Sequence, residues 1–315
     1  MTYKIHHMDF MDNDLPDKCA NLIIADPPYF EVKGEFDFVW GGFDDYLKDV
    51  ERWAMECKRI LADNGTLFWW GGARRIAYTQ VLLDKHFRLL NNLVWEKNEC
   101  QTMRAEIDAM RRFAPITERL LMYDLGEDKS GLASIFDDPA LFIPIKKYFD
   151  DWLDKSGMTL KEAVGRIGSS CSHWFGFTIR EKTQFAFPTK EKWDKMQEIF
   201  PDAQSYEELR ASYEELRRPF NPQSLISDVL KFSQESHITM NYSHDTVKPE
   251  TLTRLLIQVC SNRDDLVVVP FAGSGTECAM AIKEGREAIG YEINKDYVDM
   301  AERRCKLVSM EQTLF

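Results

Sequence analysis

Two short segments of the chain carry residue types whose order can do chemistry. The first, Asp26-Pro27-Pro28-Tyr29, follows an apolar run over residues 20–25. Each proline fixes its own φ and pushes its predecessor toward extended geometry, so the segment is a stiff bracket presenting a carboxylate, free carbonyls and an aromatic face. Those groups suit a planar amine. The lone pair of an exocyclic amino group is delocalised into its ring, which makes the nitrogen a poor nucleophile. The Asp26 carboxylate and the Pro27 carbonyl could accept both N–H bonds and favour a pyramidal nitrogen, with Tyr29 stacked on the ring. The plainer reading of the same residues is a turn with an Asp cap and two rigidifying prolines.

The second segment is Val267-Val-Val-Pro-Phe-Ala-Gly-Ser-Gly-Thr276, a buried strand running into a glycine loop and then a helix. Gly273 and Gly275 permit close backbone approach, and a helix starting near Thr276 offers free N–H groups to an anion. No Gly-Lys-Ser/Thr is present, which excludes a phosphate-binding P-loop, and Cys278 stands where the third glycine of a dinucleotide fingerprint belongs. Glu292, 17 residues beyond Gly275 at the end of the next strand, is placed to take two ribose hydroxyls. A carboxylate-bearing ligand with an unmodified ribose, such as S-adenosylmethionine, fits these three features. A glycine turn of packing value alone is the alternative.

The elements that must position these segments alternate. Strands are predicted over 20–26, 66–70, 89–95, 119–123, 266–269 and 288–291, and helices over about 46–61, 74–86, 249–261, 276–284 and 295–306, with Asn64-Gly65 as a left-handed stop for the first helix. That pattern predicts an α/β sheet with helices on its faces. Between about 127 and 220 strands give way to charged helical segments: 143–154, 159–168, 191–200 and 206–218. Residues 159–175 have the length and glycine punctuation of a helix-turn-helix, or equally of two packed surface helices. One α/β domain interrupted by a helical insertion is therefore expected.

Composition bounds the rest. The 315 residues include 52 acidic and 40 basic side chains, for a net charge of −12. No apolar run approaches the roughly 20 residues of a membrane helix, and the N-terminus has no apolar signal core, so a cytoplasmic protein without membrane contacts is expected. The seven cysteines, at 19, 57, 100, 171, 260, 278 and 305, form no Cys-x-x-Cys pair and read as reduced thiols. No metal site is implied; His173, lacking partners at zinc spacing, reads as a packed or partner-facing polar residue. The acidic balance argues mildly against a nonspecific nucleic-acid binder.

With His244-Asp-Thr-Val-Lys-Pro249 just before the glycine loop, the two segments in this order resemble the β-class amino-methyltransferases of DNA, in which the catalytic tetrapeptide precedes a target-recognition insertion and the cofactor loop comes last. The resemblance covers about 1–125 and 225–310, and the insertion loosely, through residues 213–221. It implies a permuted Rossmann-like methyltransferase sheet with helices on both faces and an inserted, mainly helical target-recognition region. The parts would be 1–126, the catalytic half; 127–224, the insertion; and 225–315, the cofactor half. It implies that Asp26, Pro27, Pro28 and Tyr29 hold the target base. Phe271, Ala272, Gly273, Ser274, Gly275 and Thr276 would line S-adenosylmethionine, together with Asp26. Glu292 would bind its ribose, and Thr246 and Lys248 would contact its other face.

Two departures stand out: Val269 where the family usually carries Asp, which removes an acceptor expected near the cofactor's amino or methionine end, and Asp245 where it carries Pro. Asp245 offers a partly compensating carboxylate. The tetrapeptide's Asp leans toward adenine N6, with cytosine N4, RNA, or a catalytically impaired DNA-binding module of the same fold as alternatives. Double-stranded DNA is the implied partner, with room for a cognate restriction endonuclease and a homodimer. A duplex target must be flipped out and its phosphates gripped. Basic stretches at 97–119 and 180–195 are candidate cleft walls, the second interleaved with Trp174, Phe175, Phe185 and Trp193. Arg111 and Arg112 are expected near the substrate channel, and Arg180 and Lys182 in a sequence-reading region over 159–195. Mixed charge is also the normal pattern of a solvated helix face.

Overall fold

The computed structural model describes residues 2–30, 39–97, 111, 113, 115–126, 143–168, 174–175, 187–233 and 247–313. The chain divides into two compact units, Met1–Gly131 with Pro219–Phe315, and Leu132–Arg218.

The first unit is built on one sheet of β1 (Tyr3–His7), β2 (Ala20–Ala25), β3 (Leu61–Gly72), β4 (Arg88–Glu96), β5 (Thr117–Asp124), β6 (Val229–Lys231), β7 (Leu266–Val269) and β8 (Glu287–Glu292). The order across it is β1-β8-β7-β2-β3-β5-β4-β6. All pairings are parallel except those of β5, which runs against β3 and β4. β2 reads as a continuous apolar run because both of its faces are covered. Leu22 and Ile24 point into one core, and Ala20, Ile23 and Ala25 into the other. Trp70 and Trp69 divide between the faces in the same way.

Helices cover both faces. α1 (Phe43–Ile60) turns Tyr46, Val50, Trp53, Ala54, Cys57 and Ile60 inward at helical spacing, and α2 (Ile76–Leu83) joins it. Residues of α7 (Glu250–Cys260), α8 (Thr276–Lys283) and α9 (Lys295–Thr313) fill the opposite core. The expected stop for α1 at Asn64-Gly65 is corrected: the helix ends at Ile60, with Leu61 extended and its N–H donated to the Cys57 carbonyl. Asn64 and Gly65 lie instead in an irregular stretch of β3, where the register with β2 jumps from Ala20↔Leu61 to Leu22↔Thr66. A Cβ at Gly65 would lie 2.6 Å from Leu61 Cδ1 and 3.0 Å from the Ala62 carbonyl oxygen, so glycine eases the close approach there. Two edge strands went unpredicted. β1 buries only Ile5 among polar residues, and β6 is three residues long, so neither carries a periodic signal.

The second unit contains α3 (Ile143–Ser156), α4 (Leu160–Ile167), α5 (Lys190–Ile199) and α6 (Tyr206–Leu216), with capping boxes at Thr159/Glu162 and Ser205/Glu208. Its core is aromatic: Phe149 lies 5.6 Å from Trp174 and 5.9 Å from both Phe175 and Trp193. Trp174, Phe175 and Trp193, expected among the basic residues of a cleft wall, are fully buried in this core instead. These three large aromatics join Ile145, Phe149, Trp152, Ala163, Ile167, Met196, Phe200 and Leu209 in the apolar core of this unit. The lysines of α5 sit on its solvated side, where Lys195 pairs with Glu191 and Lys190 with Glu207.

Candidate active site

The sheet reverses its order of construction between β7 and β2, which are neighbours although far apart in sequence. Ligands of open α/β sheets bind outside the carboxyl ends of strands at such a switch point. Here β2 delivers Asp26-Pro27-Pro28-Tyr29 and β7 delivers Pro270 and the glycine loop. Both segments line one cavity of about 380 Å³. Asp26, Pro27, Pro28, Tyr29, Lys248, Phe271, Ala272, Gly273, Ser274, Thr276 and Glu292 are all in its wall. Gly275 stands just behind, as the N-cap of α8 at φ 76°. A Cβ at Gly275 would lie 2.6 Å from the Ala301 Cβ, so glycine is required there for both conformation and space.

The Asp26-Pro27-Pro28-Tyr29 bracket is held by a buried charge knot. Lys248 Nζ donates to Asp26 Oδ2 at 2.7 Å and lies 3.3 Å from Glu118 Oε2, and the Tyr29 hydroxyl donates to Asp26 Oδ1 at 2.9 Å. Glu118 also pairs with Lys97, and the Lys248 ammonium sits 4.9 Å from the Trp70 ring centroid. Burial raises the Asp26 carboxyl above its ordinary value, against the pull of Lys248. Burial acts the same way on Glu118, but Lys248 and Lys97 outweigh it and leave that carboxyl lowered. Lys248 is penalised by burial and raised more by the two carboxylates, so it stays an ammonium. Tyr29 is pushed well above its usual range by burial and by both carboxylates.

The far end of the cavity is different. Phe10, Trp53, Phe271 and Tyr291 form an aromatic wall, with Phe271 5.0 Å from Trp53 and Phe10 5.5 Å from Tyr291. Glu292, raised by burial, accepts from the Gly273 N–H at 2.9 Å and the Asn294 N–H at 2.8 Å. Thr276 Oγ1 accepts from the buried Arg304, which also pairs with Glu250. An apolar slot for a flat ring, a carboxylate beside it, and a glycine cradle with charged groups beyond it form a donor set that fits S-adenosylmethionine.

Sequence reading missed Glu118 and Glu277. Glu118 stands at the start of the reversed strand β5, whose N-terminal end meets the carboxyl ends of its neighbours; nothing local to it signals this. Glu277, the second residue of α8, also lines the cavity, and in sequence it looks like an ordinary acidic first-turn residue. Lys248 was expected against the cofactor and is found ion-paired with Asp26. Val269 points into the sheet core and offers the cavity nothing. Arg111 is exposed. Arg112, Arg180, Lys182, His173, Phe185, Asp245 and Thr246 lie outside the described residues.

A family model described as DNA methylase matches residues 20–303. The chain belongs to this family of DNA methyltransferases. It is 25% identical over 301 residues to the DNA adenine methyltransferase YhdJ of Escherichia coli, covering 94% of this chain and 79% of that protein. Among solved structures it is similar to M1.HpyAVI in complex with S-adenosylmethionine, at a TM-score of 0.55 and 18% identity, covering 96% of this chain and 98% of that one. It is also similar to the cytosine-N4-specific PvuII DNA methyltransferase, at a TM-score of 0.57 and 14% identity, covering 96% and 86%. These likenesses establish a shared Rossmann-like methyltransferase fold. No helix among the described residues is long and apolar enough to cross a membrane.

Proposed function

We propose that this DNA methyltransferase modifies the exocyclic N6 of a flipped-out adenine at a specific site in double-stranded DNA. The observation that carries the reading is the Asp26-Pro27-Pro28-Tyr29 bracket, tied to Lys248 and opening into the same cavity as the glycine loop. When bound, S-adenosylmethionine supplies an electrophilic methyl group. Phe271, Ala272, Gly273, Ser274, Gly275 and Thr276 would cradle it, and Glu292 would take its ribose hydroxyls.

The chain's own part is positioning. A carboxylate has about four acceptor sites; Lys248 and Tyr29 occupy two, which leaves Asp26 free to accept one N–H of the amine while the Pro27 carbonyl accepts the other. Holding both N–H bonds localises the nitrogen lone pair. Asp26 orients more than it deprotonates, because the amine becomes acidic only after it has been alkylated, and the released proton can pass to Asp26 or water. The adenine preference rests on the Asp of the tetrapeptide and the similarity to an adenine methyltransferase. Residues 127–224 would read the target sequence, with Arg111, Arg112, Arg180 and Lys182 on the DNA. A cognate endonuclease and a homodimer are the partners compatible with this reading.

DNA incubated with the protein and S-adenosylmethionine, then digested to nucleosides, is expected to contain N6-methyladenine by mass spectrometry. Asp26→Ala is expected to abolish it while cofactor binding, read by calorimetry, persists. N4-methylcytosine instead, or modification of RNA alone, would overturn the substrate assignment.

A further inference from the structure

The cavity holds one buried acid that the methyl-transfer reading does not use. Glu277 is 6% exposed and faces the cavity from the first turn of α8. Among the described residues no side chain donates a hydrogen bond to its carboxylate, and none forms an ion pair with it. The groups acting on it electrostatically are Asp26 at the end of β2, Lys248 ahead of α7, and Arg304 of α9. Arg304 is committed to Thr276 and Glu250, and Lys248 to Asp26 and Glu118. The described cavity wall contains Asp9, Asp26, Asp49, Glu118, Glu277 and Glu292 against the single cation Lys248. A buried carboxylate without its own cation is costly unless a ligand brings one.

We propose that Glu277 receives the α-ammonium of the cofactor's methionine moiety, supplying from α8 the acceptor that β7 lacks at Val269. The inference rests on the cofactor reading above and on the covalent layout of S-adenosylmethionine. Its transferable methyl must sit beside Asp26 and Pro27 for the amine to reach it, and its amino-acid chain branches from the same sulfur. The ribose branches from that sulfur too and would lead toward Glu292 and the aromatic wall. Glu277 is the carboxylate at the Asp26 end with no protein cation of its own. A sulfonium has no N–H or O–H to donate, whereas an ammonium donates three hydrogen bonds. Burial, reinforced by Asp26, holds the free Glu277 carboxyl near 7, so the ammonium must also drive its ionisation on binding.

The test compares S-adenosylhomocysteine with its analogue lacking the α-amino group, by calorimetry on the full-length wild type and Glu277→Gln. Wild type should bind S-adenosylhomocysteine about 10- to 100-fold more tightly than the deamino analogue, the range of a lost charge-assisted hydrogen bond. Glu277→Gln should weaken S-adenosylhomocysteine by a similar factor and leave the analogue within about twofold. Wild-type affinity should also fall as pH drops below about 7, and the Gln variant should lose that slope. Since Gln carries no charge to desolvate, its melting temperature should match or exceed that of wild type. Equal weakening of both ligands, or unchanged S-adenosylhomocysteine binding, would overturn the role of Glu277. A wild type that binds neither ligand would overturn the cofactor reading on which it depends.

Discussion

At the level of single residues, the Lys248 ammonium is what lets two carboxylates share the floor of the cavity. Its side chain is 5% exposed, and it lies 2.7 Å from Asp26 and 3.3 Å from Glu118. Replacing it with Met would leave two neighbouring buried carboxylates without their common cation, which costs about 3 kcal/mol of stability. The functional consequence has a definite sign. Lys248 lowers both acids, so its loss raises them, and Asp26 would be ionised only at higher pH. Lys248→Met is therefore expected to lose most activity at pH 6 and recover part of it at pH 8, whereas Lys248→Arg keeps the wild-type profile. A pH–rate series with urea unfolding at each pH checks this, and a Met variant with a wild-type acidic limb would contradict it. Wild-type stability should respond at lower pH. Glu118 is held below its ordinary value of 4.5, so its contribution is complete above that value and disappears as pH falls through the lower folded one.

At the level of elements, the strand–loop–helix at β7 and α8 shows what can be read from a chain and what cannot. Gly273, Gly275 and Glu292 were legible because strand, tight loop and helix are neighbours in sequence and each has a local signature. Asp26 was legible for the same reason. Glu118 was not, and neither was the pairing of Lys248 with Asp26, because what joins these residues to Asp26 is the pairing of a reversed strand and the return of the chain at α7, separations of 92 and 222 residues. The aromatics interleaved with basic residues in 174–193, which suggest a cleft wall, equally fill a helical core, and only packing distinguishes the two. Glycine substitutions separate the two kinds of element. Gly275→Ala forces a Cβ into a left-handed backbone and against the Ala301 Cα at 2.7 Å, so a loss of roughly 2–5 kcal/mol is expected, with weakened cofactor binding. Gly165→Ala, inside α4 with nothing within 4 Å of the added Cβ, should instead stabilise by about 0.5–1 kcal/mol. Urea midpoints of the two variants should move in opposite directions, and a neutral Gly275→Ala would remove the steric argument for the loop.

At the level of the whole molecule, a net charge of −12 opposes the approach of a DNA substrate, and magnitudes decide which electrostatic effect governs binding. The summed charge repels DNA over long distances, but at 0.1 M salt the Debye length is about 10 Å and most of that repulsion is screened. Phosphate contacts act at hydrogen-bond distance and release condensed counterions, so above about 50 mM salt the local contacts set the behaviour and affinity falls with a log–log slope near −0.9 per phosphate neutralised. If Arg111, Arg180 and Lys182 are such contacts, replacing each with Ala should make the slope shallower by about one, for specific and nonspecific DNA alike. Replacing with Ala exposed α5 lysines already paired within the protein, Lys195 with Glu191 for example, should leave the slope unchanged while altering the net charge just as much. Fluorescence anisotropy between 50 and 300 mM salt measures both. Slopes that track net charge rather than the identity of the residue would show that the global field, and no local basic surface, controls the encounter with DNA.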